Sequence, residues 1–412
     1  MKQGILSEIL DYSNRANPYP LYEELRKTPV FHDGTGPYVI STYHEIQGLL
    51  HDPRLSSDAR NLAATAVDPL AEEADEEASA LPPVFLRMDP PEHDRLRRMT
   101  NRPFGPPHSP YRIDGMRGDL KGIVTGLIDD FADPGRIDIV EQFSYPFPVT
   151  AICRLLGVPR EDEPRFQVWA GIIAKSLDPD PNVDPRDRLK GGHDAQMELG
   201  MYLAGLIQER GKKPGDDMLS QLAVGHGQDG TMSTIELIST AALMLVAGHE
   251  TTVNLITNGM LTLLRNPDVL HQLRREPGLA APLVEELLRF EPPVQLLPQR
   301  TPLVDLEVCG VTIPKGSAMW LVLASGNRDP LRFENPDRFD PYRKDIQHLG
   351  LGSGIHSCFG APLARLEAQL ALSELARRLE NPRLIEDPPP YRQNVALRGP
   401  RHLYVTCDGI RP

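Results

Sequence analysis

The chain has 412 residues, with 57 acidic against 44 basic side chains and a net charge of −13. That acidity argues against general nucleic-acid binding, which needs cations to neutralise phosphates. A hydrophobic content of 40% with 25% charged residues suits a globular protein that buries a substantial core, and 41 prolines predict many structured turns. Four widely separated cysteines, Cys153, Cys309, Cys358 and Cys407, form no disulfide framework and fit a reducing cytosol. The N-terminal run Met1 to Glu8 lacks the apolar stretch of a signal peptide, and no segment approaches the ~18 consecutive apolar residues of a membrane span. These features predict a cytoplasmic protein that needs neither membrane nor nucleic acid, and a monomer is expected.

In chain order, Pro20 to Arg26 predicts a short helix, and Tyr38-Val39-Ile40-Ser41-Thr42 a strand. Ser56 to Pro91 is rich in Ala, Asp, Glu and Pro and predicts mostly loop. It contains an acidic run, Glu72, Glu73, Asp75, Glu76 and Glu77, and a basic group follows at Arg95, Arg97, Arg98 and Arg102. Each run reads first as a solvated face, and the basic one could also receive an acidic partner. Helical patterns dominate from Asp119 to Leu222. They are interrupted at Asp178-Pro179-Asp180-Pro181-Asn182, which separates two helices and marks a candidate mobile lid. Ser233 with Glu236 three residues on predicts a capping box at the head of a long helix running toward Leu264. A helix over Leu279 to Phe290, strands at Leu306-Glu307-Val308 and Met319-Trp320-Leu321-Val322, and a closing stretch of loops and short strands from Arg383 to Thr406 complete the pattern. No internal repeat or Gly/Ser-rich linker divides the chain, so residues 1–412 read as a single domain.

Three segments carry chemistry. In the run Gly352-Ser353-Gly354-Ile355-His356-Ser357-Cys358-Phe359-Gly360, glycines let the backbone turn tightly and lie close to a flat object. Pro362 suits the first turn of a helix, and Leu363, Leu366 and Leu370 recur at helical spacing. A thiol just ahead of a helix meets unpaired N–H donors and partial positive charge, which favour the thiolate that a metal-bearing cofactor needs. In isolation a cysteine is more often a buried small hydrophobe. Gly350-Leu351-Gly352-Ser353-Gly354-Ile355 starts like a dinucleotide loop, but Ile355 stands where a third glycine belongs. Neither a second Cys pair nor a spaced His pair is near enough to complete a zinc site.

In the long helix, Ala247-Gly248-His249-Glu250-Thr251-Thr252 includes a glycine that costs about 1 kcal/mol in a helix interior. Thr251 can bond back to the Ala247 carbonyl. Small Ala247 and Gly248 would let a ligand lie against the backbone, and Glu250 beside Thr251 pairs an acid with an alcohol able to pass protons through water. The third segment, Glu286-Leu287-Leu288-Arg289, is on its own an ordinary i,i+3 ion pair.

The cysteine loop followed by Ala361-Pro362-Leu363-Ala364-Arg365-Leu366-Glu367 resembles the haem-binding loop of the bacterial cytochromes P-450. The likeness extends over nearly the whole chain, and the other motifs match as well. It implies a mainly α fold with a smaller β region, the cytochrome P-450 fold, binding haem b (iron protoporphyrin IX) with Cys358 as axial ligand to the metal. Gly352 and Gly360 flank that ligand, and Ala247 lies against the cofactor. His93 and Arg97 (i,i+4 on one helical face), Arg300 and His356 match the propionate-binding positions. Thr251 takes the alcohol role and Glu250 the acid role in dioxygen activation, while His249 falls on a variable position. Glu286, Arg289 and Arg338, the last in Pro336-Asp337-Arg338-Phe339, form the family's buried structural network. Leu351 stands where the family usually has Phe, and Pro302 and Val304 replace its usual Ala and Glu.

The implied activity is monooxygenation, the hydroxylation or epoxidation of a medium-sized, largely apolar organic molecule such as a terpenoid, steroid, fatty acid or macrolide, in secondary metabolism or catabolism. No reductase or ferredoxin module is fused within the 412 residues, so electrons are expected from a separate ferredoxin and ferredoxin reductase, the former steered by Arg95, Arg98 and Arg102. Oxidative coupling, desaturation or peroxide-driven oxidation would use the same cofactor, and a non-enzymatic haem sensor is a remoter alternative. Substrate-lining candidates are the loop before Val84-Phe85-Leu86, the Ile172 to Leu177 region, Leu243, Ala247 and the run Val294, Gln295, Leu296 and Leu297, with Gln295 as a polar anchor.

Overall fold

Helix-starting and strand-forming signals in the sequence are realised where they are strongest. In the computed structural model, which describes residues 4–70, 84–105, 108–178, 183–224 and 230–412, helices dominate and short strands gather into small sheets. The capping box forms: the Ser233 N–H donates to Glu236 Oε2 at 2.7 Å and the Glu236 N–H to Ser233 Oγ at 3.3 Å, and the helix runs Thr234–Arg265. The helices Tyr19–Arg26, Ala280–Phe290 and Ala361–Arg378 also fall where periodicity placed them. The Tyr43–Leu50 helix was not anticipated, although its buried Tyr43, Ile46 and Leu49 repeat every three residues behind Thr42.

Two compact units make up the chain, each from three separated stretches, so neither is a continuous piece of sequence. The first comprises Met1–Glu73, Thr257–Phe359 and Glu386–His402. Its five-stranded sheet runs in the order Val30–Phe31, Tyr38–Ile40, Met319–Leu321, Leu297–Pro302 and Leu55–Ser56. Successive side chains of a strand point to opposite faces, and both faces are buried. Val39, Trp320 and Val322 join a core with Tyr22 and Leu25, whereas Ile40, Met319 and Leu321 join another with Ile46 and Phe333.

The second unit comprises Ala74–Ile256, Gly360–Ile385 and Leu403–Pro412. Here the Ala361–Arg378 helix packs against Arg117–Asp129, and Glu163–Leu177 against Pro185–Lys212. Ile137–Asp138, Tyr404–Thr406 and Arg383–Leu384 form a small antiparallel sheet. The two helices predicted on either side of the proline-rich interruption are present, but the centre of that candidate lid, residues 179–182, lies outside the described residues, as does the acidic run within 71–83. Among the described residues, no helix is long and apolar enough to cross a membrane.

Candidate functional site

In the first unit, the loop carrying Cys358 is held by backbone. Gly352 and Gly354 adopt φ of 68° and 67°, the left-handed region that costs glycine least. The Gly352 N–H donates to the Leu349 carbonyl and the Cys358 N–H to the Leu351 carbonyl, both at 2.8 Å. A Cβ on Gly350 would stand 2.2 Å from the Leu288 carbonyl oxygen, and one on Gly354 2.0 Å from that of Leu50. The loop is thus pressed against the Ala280–Phe290 helix on one side and the end of the Tyr43–Leu50 helix on the other, where His51 Nε2 lies 2.7 Å from Ser353 Oγ. Leu351 contributes a carbonyl to this turn, a role any residue can fill.

Cys358 is exposed and lies just before Gly360, the N-cap of the Ala361–Arg378 helix. A Cβ on Gly360 would meet no protein atom within 4 Å, so packing within the protein does not require glycine there. The other three cysteines have thiols pushed up, chiefly by burial: Cys153 and Cys407 in the interior, and the exposed Cys309 with help from the Glu45 carboxylate at 3.4 Å. His356 ends the short turn Gly354–His356, and Arg300 lies part-buried in the Leu297–Pro302 strand behind Gln299, whose φ is 59°.

The ion-pair network exists with a different third member. Arg289 grips Glu286 through Nε at 2.7 Å and Nη2 at 2.8 Å, both side chains fully buried. Arg338 does not join it: its side chain is 71% exposed and approaches Asp340 at 3.6 Å, so that only its carbonyl reaches Arg289, at 3.2 Å. Arg343 takes the expected place, with Nε 3.3 Å from Glu286 Oε2, within ion-pair reach but outside hydrogen-bond geometry. The Asp340 N–H adds a 2.9 Å bond to Glu286. From this cluster one chain of bonds reaches the cysteine loop. Arg289 Nη1 donates to the Asn327 carbonyl at 2.9 Å, and Asn327 Oδ1 accepts the Leu349 N–H at 2.7 Å. Asn327 is a positioning residue that sequence reasoning missed. A lone Asn after a short apolar run carries no signal of its own.

In the second unit, Thr251 Oγ1 donates to the Ala247 carbonyl at 2.7 Å, the back-bond its position predicted. Leu243, Ala247 and Thr251, at i, i+4 and i+8, share the accessible face of the long helix. Gly248 does not belong to that face. A Cβ there would lie 2.7 Å from Ile152 Cδ1, so this glycine serves packing against the Pro146–Leu156 helix, not ligand approach. His249 is packed as expected, its Nε2 3.1 Å from the Tyr145 carbonyl and its ring edge-on to that of Tyr145 at 4.5 Å. Glu250 is buried and accepts from Asn254 Nδ2 at 3.2 Å. His93 and Arg97 do share the Glu92–Phe104 helix, His93 buried with Nδ1 2.8 Å from Asp94 and Arg97 half-buried.

Two substrate expectations need correction. Gln295 is completely buried, its amide donating to the Pro292 carbonyl at 2.7 Å, and Leu296 belongs to the core beneath the sheet. Both lie just ahead of the Leu297–Pro302 strand and are buried there, whereas Val294 and Leu297 on either side are half-buried. In the steering group, Arg95 is ion-paired with Glu236, whereas Arg98 is exposed. Among the described residues, no group of three or more His, Cys, Asp or Glu side chains could hold a bare metal ion.

The cytochrome P-450 family model matches residues 174–278 and 279–406. The chain is 38% identical to the cytochrome P-450 monooxygenase PikC of Streptomyces venezuelae, over 95% of this chain and 91% of the relative. It is 36% identical to the vitamin D(3) 25-hydroxylase of Pseudonocardia autotrophica, over 95% of this chain and 94% of that one. The solved structure of ligand-free CYP164A2 of Mycobacterium smegmatis superposes with a TM-score of 0.84 at 38% identity, covering 98% of this chain and all of the other.

Proposed function

The chain belongs to the cytochrome P-450 family, and from that premise we propose that it hydroxylates or epoxidises a medium-sized, largely apolar organic molecule with electrons from a ferredoxin and its reductase. In this reading Cys358 would supply the thiolate that holds the iron of haem b. Arg300 and His356 in the first unit, and His93 and Arg97 in the second, supply donors to the propionates, since charge-assisted bonds from Arg to carboxylate are the strong kind. Gly352 shapes the ligand loop, and Gly360 and Ala247 leave room for a flat macrocycle. The residues present fit the group. Cys358 is exposed in a loop fixed by its own backbone, a Cβ on Gly360 would face open space, and the small Ala247 sits on the accessible face of its helix.

When bound, the haem supplies redox iron whose thiolate ligand pushes electron density toward the O–O bond of dioxygen. The chain's own residues do the rest. Thr251, held against the Ala247 carbonyl, presents its hydroxyl oxygen on the accessible face, and Glu250 supplies the proton that this alcohol and water pass on. Leu243 and Ala247 give that face an apolar surface for substrate, with Val294 and Leu297 as further lining. The name of the vitamin D(3) 25-hydroxylase relative supports hydroxylation of a large apolar molecule.

The observation that carries this reading is the exposed Cys358 in its clamped glycine loop. A Cys358→Ala variant should lose the thiolate spectrum of the carbon monoxide adduct, and a variant that kept it would overturn the assignment. A compound screen by haem spectral shift, followed by product analysis under labelled dioxygen, identifies the substrate and separates oxygen insertion from coupling or desaturation. Neutralising Arg98 and Arg102 should lower the rate of reduction by ferredoxin and flatten its salt dependence. Unchanged reduction would remove the steering role.

A further inference from the structure

The strand Leu297–Pro302 pairs irregularly with its neighbour Met319–Leu321. Leu297 stands opposite Leu321 and Arg300 opposite Met319, so three steps along one strand answer two along the other. The extra residue makes a β-bulge, and Gln299 carries its distortion with a φ of 59°. A residue other than glycine in the left-handed region is strained, and such strain persists only where the surrounding structure imposes it.

The bulge decides which face of the sheet Arg300 occupies. Residues three apart in a regular strand lie on opposite faces, whereas directly paired residues of neighbouring strands share one. Met319 and Leu321, two apart, are on the same face, so the bulge puts Leu297 and Arg300 there together. Pairing beyond the bulge agrees: Pro302, two residues after Arg300, stands opposite Leu55, which packs against the same core as Leu297, Met319 and Leu321. That core also takes in Leu49 and, from the start of the cysteine loop, Leu349. The other face of the sheet meets a different core, with Trp320, Tyr22, Ile5 and Ile9. Without the extra residue, Arg300 would turn toward that second core and away from the one that the cysteine loop shares.

We infer that Gln299 is a positioning residue for the cofactor: its left-handed backbone sets the bulge that presents the Arg300 guanidinium to a haem propionate. The inference rests on the reading of Arg300 as a propionate donor. Arg300 Nη1 donates to the Gln299 carbonyl at 3.4 Å, so the same backbone also steadies the guanidinium. The work is done by the backbone at 299 and not by the side-chain amide. Any residue that tolerates the left-handed region therefore serves there, and a β-branched one does not.

The test times haem transfer from each ferric holoenzyme to excess apomyoglobin. It compares the parent with Gln299→Gly, Gln299→Asn, Gln299→Val, Arg300→Leu and the double variant Gln299→Val/Arg300→Leu. The Gly and Asn variants keep the left-handed backbone and should release haem at the parent's rate, with the urea midpoint of Gln299→Gly at or above the parent's. Gln299→Val and Arg300→Leu should each release haem about ten-fold faster, because each loses a charge-assisted bond. If the two act through one contact, the double variant should be no faster than either single one. All five should keep the thiolate spectrum of the carbon monoxide adduct. Multiplied effects in the double variant, or a lost thiolate spectrum in Gln299→Val, would show Gln299 acting other than through Arg300 and overturn the inference. Fast release by Gln299→Gly would overturn it too, since the side chain and not the backbone would then matter. If Arg300→Leu is fast and Gln299→Val is not, the bulge has no such role and Arg300 stands as a donor. If Arg300→Leu releases haem like the parent, the propionate reading fails and this inference falls with it.

Discussion

Replacing three arginines one at a time tests which of them holds the buried Glu286. Arg289→Ala strips that carboxylate of two bonds at 2.7 and 2.8 Å and leaves it in the interior. It also removes the donors to the Asn327, Pro336 and Arg338 carbonyls. Breaking a buried pair from one side costs about 3–5 kcal/mol, because the remaining charge is uncompensated. In Arg343→Ala, Glu286 keeps Arg289 and the Asp340 N–H but loses the 3.3 Å contact, and the Glu334 carbonyl loses a 2.8 Å bond. Bonds to charged groups suggest a cost of about 2 kcal/mol. Arg338→Ala keeps the carbonyl that Arg289 uses and removes a side chain that is mostly in water, so stability should stay within about 0.5 kcal/mol of the parent. Unfolding entropy scales with length, so a chain of 412 residues moves its Tm by only ~1 °C per kcal/mol. Urea unfolding of the holoenzyme, followed by far-ultraviolet circular dichroism, is therefore the better assay. The reasoning fails if Arg338→Ala destabilises as much as Arg343→Ala.

Burial pushes the Glu367 carboxyl well above its ordinary value of 4.5. The folded chain then holds a proton that the unfolded chain releases, so stability is undiminished below about pH 4.5 and falls as pH rises toward the folded value, by at most about 1.4 kcal/mol per pH unit. Glu367→Gln should flatten that decline in urea midpoints measured between pH 5 and 8, and parallel curves for parent and variant would refute it. Gly350→Ala places a methyl 2.2 Å from the Leu288 carbonyl, so the cysteine loop must shift; haem content per purified chain should drop, and full loading would contradict the clamp. Glu236→Ala removes both the reciprocal cap of the long helix and the partner of Arg95, and should cost about 1–2 kcal/mol in the same urea assay.

The elements with strong local signals were legible in the sequence: the capping box at Ser233 and Glu236, the proline-led helix after Cys358, the Thr251 back-bond. Each depends on residues within one or two helical turns, and the chain carries that information in its spacing. The cysteine loop was legible for the same reason, since its five determinants, Gly352, Gly354, His356, Cys358 and Gly360, lie within nine consecutive residues. Arg343 and Arg338 illustrate the opposite case. Both follow the Glu-x-x-Arg helix by some fifty residues, and only the path of the intervening turns decides which guanidinium reaches Glu286. The burial of Gln295 and Leu296, the contact of Gly248 with Ile152 and the bridging by Asn327 are likewise invisible to periodicity. By itself the sequence determined the local helices, the reactive loop and the family. Tertiary structure alone decided which side chains meet, because burial and pairing depend on elements that approach from distant parts of the chain.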